Sequence, residues 1–361
     1  MERLFLVGIL FQGEDKWEKL DSLEELASLG ATAGGEVVEK LLQRREKPDP
    51  RFFIGKGKVL ELKEIASSLN IDTFVFDEEL TPTQTRNLEE TIGKKVIDRT
   101  ELILDIFAQH AKTRAAKIEV ELTQLSYRLS KLTRKGILLS RLGAGIGTRG
   151  PGEMKLETDR RRIRERIGHL EEKLKSIEIS KKIQRKRRAS LFKVAIVGYT
   201  NAGKSSIMNR LTKANLKVED KLFSTLDATT RILIIPPLKK ILLTDTVGFI
   251  RRLPHGLISS FHSTLEEAVL ADLRLHIVDV SHAYMEERIM AGNEILADLG
   301  ASDKPTLYVF NKIDADNSPV PALKLKYPDA VFTSCKSGEG IDELKSKIES
   351  FYDKWKSNTA S

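Results

Sequence analysis

The architecture of this chain is set by the segment Val194-Ala-Ile-Val-Gly198-Tyr-Thr-Asn-Ala-Gly203-Lys204-Ser205, which a helical pattern follows from Ser206. The first four residues form a short apolar run with β propensity. The two glycines let backbone N–H groups wrap phosphates at a helix N-terminus, where the helix dipole also favours negative charge. The segment matches the phosphate-loop pattern in the strand–loop–helix setting that makes this pattern specific. It predicts an α/β nucleotide-binding domain, a P-loop fold.

The residues that would act on the phosphates follow from this loop. Lys204 would reach the β- and γ-phosphates, and the Ser205 hydroxyl would ligate Mg²⁺. The run Ile241-Leu-Leu-Thr-Asp245-Thr-Val-Gly248 predicts a strand that ends in an acidic residue and a turn glycine. Asp245 would hold Mg²⁺, and the Gly248 N–H could sense a γ-phosphate. We therefore expect Mg²⁺ and a nucleoside triphosphate to bind together.

A switch threonine between Lys204 and Asp245 should close on the same Mg²⁺. Thr225 lies 21 residues after the lysine and 20 before the aspartate, and this even spacing favours it. Thr230 remains an alternative on spacing alone. The predicted catalytic set is Lys204, Thr225 and Gly248, and the predicted metal ligands are Ser205, Thr225 and Asp245.

Base recognition is predicted at Asn311-Lys312-Ile313-Asp314, after the apolar run Leu307 to Phe310. A carboxylate at Asp314 can accept both N1–H and N2–H₂ of guanine, whereas adenine presents an unprotonated N1 there. Sites of this kind reject an analogue because it leaves a buried polar group unpaired. Ser334-Cys335-Lys336 follows a further predicted strand, Ala330 to Thr333, and a backbone N–H there would meet the guanine 6-oxo group. Cys335 is expected to be a bystander in this loop.

The whole set predicted to contact GTP or GDP can be given together. It comprises Gly198, Tyr199, Thr200, Asn201, Ala202, Gly203, Lys204, Ser205, Phe223, Ser224, Thr225, Leu226, Asp227, Asp245, Thr246, Val247, Gly248, Asn311, Lys312, Ile313, Asp314, Ser334, Cys335 and Lys336.

Phe249 follows Gly248 where a water-orienting glutamine could stand. A phenyl ring cannot orient an attacking water, so hydrolysis without a partner should be slow. We expect a partner to complete the site.

The rest of the chain predicts two further parts. A length of 361 residues favours two or three domains. Residues 1–111 predict a small α/β domain, with strands at Leu4–Phe11, Phe52–Ile54, Thr73–Phe76 and Val96–Ile97 and helical patterns at Val59–Leu69 and Thr83–Glu90. The capping-box spacing at Ser22 predicts a helix start. Residues 191–361 are predicted to form the nucleotide-binding domain.

Residues 112–190 predict a helical hairpin and a linker. Ile118, Leu122, Leu125, Leu129 and Leu132 are spaced 4, 3, 4, 3, and the same spacing recurs from Ile163 to Ile177. Two such apolar stripes favour two long helices packed along one seam. The glycine-rich segment Gly143 to Gly152 predicts the tip loop, and the basic run Lys181 to Arg188 predicts the linker.

Charge is concentrated in this hairpin. Residues 112–190 carry 23 basic and 9 acidic residues, a net of +14 in a chain whose total is +8. This favours a polyanionic partner, and we expect RNA. A plain dimerisation coil is the alternative, although dimerisation does not need a basic tip, and we expect a monomer. The predicted RNA-binding residues are Arg141, Arg149, Arg160, Arg161, Arg162, Arg164 and Arg166.

Several classes of protein are excluded or disfavoured. A single cysteine, Cys335, excludes a disulfide framework and a cysteine-based zinc site. The six histidines lack metal-ligand spacing. No run of 18 apolar residues and no secretory signal is visible, so we expect a cytoplasmic protein, with peripheral membrane association through Lys181–Arg188 as an alternative.

These residues together resemble the HflX family of ribosome-associated GTPases, in the Obg–HflX group of the translation-factor class. The most specific parts are Phe53-Ile-Gly55-Lys-Gly-Lys58, Asp98-Arg-Thr100 with Ile103-Leu-Asp-Ile-Phe107, Gly145-Ile-Gly-Thr-Arg-Gly-Pro-Gly-Glu153, and Leu156-Glu-Thr-Asp-Arg160 with the GTPase motifs. The resemblance implies an N-terminal α/β domain, a helical hairpin and a GTPase domain. It also implies GTP hydrolysis, binding to the large (50S) ribosomal subunit or 70S ribosome, a role in ribosome splitting, rescue or biogenesis, and Thr225 as the switch threonine.

The chain departs from the family pattern at Met154-Lys155 and Arg252. No phosphate loop occurs in residues 1–111, so ATP binding by this part stays open. Two other functions remain as alternatives: an RNA-binding scaffold whose nucleotide only stabilises the fold, and a membrane-linked signalling GTPase.

Overall fold

The chain forms two compact units in a computed structural model. One unit contains residues 1–109 and 117–176, and the other contains 110–116 and 177–361. The structure describes residues 1–142, 151–186, 191–212, 222–223, 228–236, 239–251, 262–301, 303–315 and 319–360.

The first unit is built on a four-stranded parallel sheet of order β2-β1-β3-β4. Helices connect its strands, as parallel strands require. The elements are β1 (Glu2–Phe11), α1 (Lys16–Thr32), β2 (Gly35–Arg45), α2 (Lys56–Ser68), β3 (Thr73–Phe76), α3 (Pro82–Ile92), β4 (Lys95–Asp98), α4 (Arg99–His110), α5 (Arg114–Leu142) and α6 (Pro151–Lys186).

Two sequence predictions in this unit are wrong. Phe52–Ile54 is not a strand, because Phe53 has a φ of +68° and forms only an isolated bridge with Asp49. Ser22 does not start a helix: α1 begins at Lys16, and Asp15 caps it through its side chain. Ser22 instead lies buried within α1, where its hydroxyl donates to Asp77 Oδ2 at 2.8 Å.

Buried charges gather where β3 and β4 end. Arg99 NH1 donates to Asp77 Oδ1 at 2.7 Å, Arg99 NH2 lies 3.0 Å from Glu25 Oε2, and Lys19 Nζ donates to Asp77 Oδ2 at 2.9 Å. All four side chains are buried. Because each charge is paired, the cluster avoids the penalty of an isolated buried ion.

The two predicted long helices are present as α5 and α6. Ile118 and Leu170 of the two apolar stripes are buried, and the other stripe residues are half-buried. Helix α6 continues to Lys186, so the described part of the predicted linker Lys181–Arg188, residues 181–186, is helical. Residues 143–150 of the predicted tip loop, Gly143 to Gly152, lie outside the described residues, and its last two residues, Pro151 and Gly152, already belong to α6.

The second unit contains a six-stranded sheet of order β10-β9-β8-β5-β7-β6, parallel except for the antiparallel β6–β7 pair. Its core joins aliphatic residues of the central strands to α7 and α11. The elements are β5 (Phe192–Gly198), α7 (Lys204–Thr212), β6 (Thr229–Ile235), β7 (Lys239–Asp245), α8 (His262–Val269), β8 (Leu273–Asp279), α9 (Met285–Asp298), β9 (Thr306–Asn311), α10 (Val320–Lys326), β10 (Val331–Thr333) and α11 (Ile341–Ala360).

The predicted motifs therefore follow the carboxyl ends of β5, β7, β9 and β10. Carboxyl ends of parallel strands meet at one edge of a sheet, which is where doubly wound α/β folds bind ligands. Across the part of the chain given above, no helix combines the length and the apolar character needed to cross a membrane.

Candidate functional site

The phosphate loop lies between β5 and α7, as the pattern predicts. Gly203 has a φ of +94°, and a Cβ at this position would lie 2.2 Å from Asn311 Nδ2. Both facts require glycine here, because an L side chain would be strained and would collide. Asn201 also has a positive φ, +60°, a conformation that asparagine tolerates better than most residues.

Lys204 begins α7 and is buried. Its Nζ donates to the Tyr199 carbonyl oxygen at 2.7 Å, which holds the ammonium group across the loop. Burial lowers the Lys204 pKa to about 8, against the opposing effect of the Asp245 charge. An anionic ligand beside this buried ammonium group would favour its charged form and raise its pKa.

Ser205 and Asp245 are brought together although they are forty residues apart. The Ser205 hydroxyl donates to Asp245 Oδ2 at 2.6 Å, and Asp245 is fully buried at the end of β7. A hydroxyl and a carboxylate are hard oxygen donors, the chemistry that Mg²⁺ prefers. Of the residues that the structure describes, no three His, Cys, Asp or Glu side chains form a metal-binding group.

The segment after Asp245 lies against the phosphate loop. The Thr246 hydroxyl donates to the Ile196 carbonyl oxygen at 2.8 Å, and Val247 is buried. A Cβ on Gly248 would lie 2.8 Å from Lys204 Nζ and 2.7 Å from Thr200 Cγ2. Only glycine permits this close approach, which places Gly248 next to the lysine that is predicted to reach the γ-phosphate.

Phe249 is buried, with 2% of its surface exposed. Its N–H donates to the Gly198 carbonyl oxygen at 3.0 Å, and its carbonyl accepts from the Thr200 N–H at 2.8 Å. The ring lies edge-on to His276, with ring centroids 6.3 Å apart. The Phe249 side chain is thus packed in the protein interior beside His276.

Asn311 joins the base-recognition motif to the phosphate loop. Its Nδ2 donates to the Ala202 carbonyl oxygen at 2.9 Å, and its Oδ1 accepts from the Cys335 N–H at 3.3 Å. The side chain is buried, so these bonds fix the loops relative to each other. Ile313 N–H donates to the Thr333 carbonyl at 3.3 Å and completes the contact between the β9 and β10 ends.

Asp314 and Ser334 lie side by side, as the guanine-site prediction requires. The Ser334 hydroxyl donates to Asp314 Oδ1 at 2.5 Å, and this bond lowers the pKa of the Asp314 carboxyl. The carboxylate therefore stays ionised and able to accept from guanine. Burial raises the Cys335 pKa to about 11, so its thiol remains protonated at neutral pH and is no nucleophile.

The sequence patterns did not indicate two residues that contact the predicted base-recognition segments, Arg210 and Asp279. Arg210 on α7 donates through Nε to the Cys335 carbonyl at 2.8 Å and through NH2 to the Lys336 carbonyl at 3.0 Å. Lys312 Nζ lies 2.7 Å from Asp279 Oδ2 at the end of β8. Neither Arg210 nor Asp279 belongs to a recognised motif, and their separation in sequence from the residues they hold gives no pattern to detect.

The predicted switch segment is only partly described. Ser224, Thr225, Leu226 and Asp227 lie outside the described residues. Phe223 is buried, with a φ of +55°. The alternative threonine, Thr230, lies in β6, and its hydroxyl is 3.0 Å from the Thr244 hydroxyl across the β6–β7 pair.

The predicted RNA-binding arginines differ in their exposure, and the structure describes the side chains of five of the seven. Arg161, Arg162, Arg164 and Arg166 are exposed on α6, and Arg166 pairs with Glu121 of α5 at 2.7 Å. Arg160 is half-buried, and its NH2 donates to the Leu132 carbonyl at 2.6 Å, so it links the two helices. Two further arginines lie where the structure describes no side chain, Arg141 and Arg149.

Comparisons with known proteins cover nearly the whole chain. Residues 20–108 match a family model described as GTP-binding GTPase N-terminal, and residues 110–188 match GTP-binding GTPase Middle Region. Residues 193–312 match 50S ribosome-binding GTPase.

Similar proteins agree with these matches. A protein named GTPase HflX from Caldanaerobacter subterraneus subsp. tengcongensis is 48% identical over 350 residues, 96% of this chain and 80% of its own length. GTPase HflX of Escherichia coli K12 is 41% identical over 348 residues, 95% of this chain and 81% of its own length. The crystal structure of SsGBP in complex with GDP has a TM-score of 0.55 at 27% identity and covers 98% of this chain and 99% of that one. A GTP-binding protein from Sulfolobus solfataricus in complex with GDP has a TM-score of 0.50 at 26% identity and covers 98% and 100%.

Proposed function

Because the chain belongs to the HflX family of GTPases and hydrolyses GTP, we propose that its hydrolysis is slow alone and is stimulated by the large ribosomal subunit. The observation that carries this proposal is the orientation of Phe249. This residue follows Gly248 and is 2% exposed, so the position offers no polar group to orient a water. A partner would then have to supply or position that group.

The proposed roles of the nucleotide-binding residues are supported by the geometry around Lys204. Backbone N–H groups of the phosphate loop would bind the phosphates, Lys204 would neutralise the β- and γ-phosphates, and Gly248 would meet the γ-phosphate. Asp314 would accept from guanine, and the Ser334–Lys336 loop would meet its 6-oxo group. The buried Asn311 supports this assignment because it holds both loops.

Ser205, Asp245 and Thr225 would hold Mg²⁺. When bound, the metal neutralises charge on the β- and γ-phosphates. The 2.6 Å contact between the Ser205 hydroxyl and Asp245 supports the first two ligands. Thr225 is preferred to Thr230 because the Thr230 hydroxyl is engaged with Thr244 in the β6–β7 pair.

The exposed arginines of α6 are proposed to contact ribosomal RNA phosphates. Arg161, Arg162 and Arg164 are solvent-exposed, and the hairpin has a strong positive charge. Such contacts are independent of base sequence and release counterions, so they weaken steeply with salt. We assign the protein a role in ribosome splitting, rescue or biogenesis, as a monomer that acts in the cytoplasm.

GTP turnover alone and with purified 50S, 30S and 70S particles, at two salt concentrations, tests the proposal. We expect stimulation by 50S or 70S that decreases at the higher salt concentration. Flat turnover in every condition would contradict it and favour an RNA-binding scaffold.

A triple variant Arg161→Ala, Arg162→Ala, Arg164→Ala separates RNA contact from nucleotide chemistry. Turnover without ribosomes should equal that of the unaltered protein, while the logarithmic salt slope of 50S binding should fall by about two to three. The variant Lys304→Ala, Lys324→Ala, Lys326→Ala removes the same charge from the GTPase unit and serves as the matched control. An equal loss of binding in both variants would point to net charge and refute the hairpin contact.

A further inference from the structure

Tyr199 occupies an unusual place for a phosphate-loop side chain. Its ring is buried, with 5% of the residue exposed, and its hydroxyl accepts from the Arg251 N–H at 2.5 Å. Arg251 lies three residues after Gly248. The Tyr199 side chain therefore holds the backbone of the segment that follows Gly248, the residue proposed to meet the γ-phosphate.

Helix α9 braces this contact from the other side. The Arg288 guanidinium lies over the Tyr199 ring, 4.5 Å from its centroid, and the Arg251 guanidinium lies 5.5 Å from the Tyr284 centroid. The Arg288 N–H donates to the Tyr284 carbonyl at 3.2 Å. Cations over aromatic faces attract the rings, more strongly where water is excluded. Arg288 therefore fixes the Tyr199 ring, and through it the position of the hydroxyl.

The same segment is anchored a second time by Phe249. Its ring packs beside His276, and a Cβ on Gly292 of α9 would lie 3.1 Å from Phe249 Cδ2. The segment after Gly248 is thus held at Phe249, by its two backbone bonds to the phosphate loop, and at Arg251, by the Tyr199 hydroxyl. Gly248 directly precedes this segment, and a Cβ on it would lie 2.8 Å from Lys204 Nζ.

We propose that Tyr199 and Arg288 are positioning residues that hold Gly248 beside Lys204, ready to meet the γ-phosphate of GTP. The proposal rests on the proposed nucleotide site. Neither side chain needs to touch the nucleotide, since Tyr199 acts through the Arg251 N–H and Arg288 acts through the Tyr199 ring. A contact arranged before binding loses less entropy when the ligand arrives. Loosening it should therefore weaken binding of a triphosphate and leave a diphosphate, which lacks the γ-phosphate, unaffected.

The variants Tyr199→Phe and Arg288→Ala test each half of this arrangement in the full chain. Tyr199→Phe keeps the ring under Arg288 and removes only the hydroxyl. The backbone of residue 199, through which the phosphate loop is predicted to contact the nucleotide and whose carbonyl accepts from Lys204 Nζ, is unchanged. Each variant should weaken binding of guanosine 5′-(β,γ-imido)triphosphate about threefold to tenfold, the range of one net hydrogen bond. The dissociation constant for GDP should change less than about twofold. Displacement of a fluorescent GDP measures both constants.

The double variant tests whether the two residues act in one chain of contacts. If Arg288 works through the Tyr199 hydroxyl, Arg288→Ala should weaken triphosphate binding much less in the Tyr199→Phe background, and Arg288→Lys should restore part of the loss. Lys324→Ala is the matched control, because Lys324 lies 5.5 Å from the Phe332 ring centroid at a site far from the phosphate loop in sequence. It should change neither constant.

Equal losses for GDP and the triphosphate would overturn the proposal, because they would indicate general damage to the fold. Additive effects of the two substitutions, or no loss of triphosphate binding, would overturn it as well. Lys204→Ala distinguishes these results from failure of the site itself. If this variant retains full nucleotide binding, the assignment of the phosphate loop is wrong, whatever Tyr199 and Arg288 do.

Discussion

His276 offers a direct test of how the core beneath the phosphate loop is stabilised. It lies in β8, 2% exposed, between the Phe249 ring and Tyr308, whose ring centroid is 5.3 Å away. Burial, reinforced by the charges of Lys204 and Arg274, lowers the His276 pKa to about 4. The imidazole is therefore neutral in the folded protein at every pH above that value.

The unfolded chain should bind a proton at His276 with the ordinary pKa of 6.5. Between pH 6.5 and 4 the unfolded state binds this proton and the folded state does not, so the free energy of unfolding falls as the pH falls. The stability that neutral His276 contributes is therefore fully present above pH 6.5 and lost below pH 4. A shift from 6.5 to about 4, at 1.36 kcal/mol for each pKa unit, corresponds to about 3 kcal/mol.

Urea unfolding of the full chain from pH 7.5 to 4 measures this contribution. Trp355 packs on Phe192, with ring centroids 5.4 Å apart, so its fluorescence reports on the GTPase unit. Since the chain has two tryptophans, Trp17→Phe leaves Trp355 as the only one. In this background we compare His276 with His276→Gln and His276→Leu, neither of which titrates.

The quantity of interest is the difference in pH dependence, because carboxylates titrate in the same range in every variant. In both variants the decrease in the free energy of unfolding between pH 6.5 and 4 should be about 3 kcal/mol smaller than in the protein that retains His276, whatever the substitutions do to stability at pH 7.5. An unchanged slope in both variants would refute the reasoning, since it would mean that His276 is protonated in the folded protein.

Three further predictions concern the nucleotide site. Gly203→Ala should abolish GDP binding in a fluorescent-nucleotide titration, because its Cβ would lie 2.2 Å from Asn311 Nδ2; retained binding would contradict the loop geometry. Asp314→Asn should weaken GTP binding roughly 100-fold or more and improve binding of xanthosine triphosphate, since an amide no longer accepts two donors from guanine; unchanged preference in a competition assay would exclude Asp314 from the base site. Bound phosphates should raise the pKa of Lys204 from about 8, so GDP affinity should decrease as the pH rises through 8; a flat profile between pH 7 and 9.5 in calorimetry would argue against this contact.

The elements that sequence patterns predicted well are those whose residues are buried on both faces. β3, at Thr73–Phe76, is buried at every position and was predicted with its exact bounds. β2 (Gly35–Arg45) was missed for the converse reason. It lies at the sheet edge, most of its residues are exposed or half-buried, and its charged side chains produce neither an apolar run nor a clean alternation. Register with β1 defines this strand, and a single sequence does not contain that information.

Local sequence patterns also gave a wrong prediction where one residue could take either of two structural roles. Ser22 has capping-box spacing to Glu25, yet both side chains serve the buried charges of Asp77 and Arg99. Asp15 supplies the cap seven residues earlier, where its Oδ1 accepts from the Trp17 N–H at 2.6 Å. A capping pattern is local, whereas a buried arginine is paired through the fold, and the fold decides which role the serine takes.

The nucleotide motifs were predictable because each is contiguous in sequence and follows a buried strand. The hydrogen bonds that hold the motifs together could not be predicted from the sequence. Asn311 reaches Ala202 across 109 positions, and Arg210 reaches Cys335 across 125. These bonds join the proposed base-recognition loop to the phosphate loop and to the helix that begins at Lys204. A substitution at Arg210 should therefore disturb guanine preference without touching any recognised motif, which places part of the specificity of this site in residues that motif searches pass over.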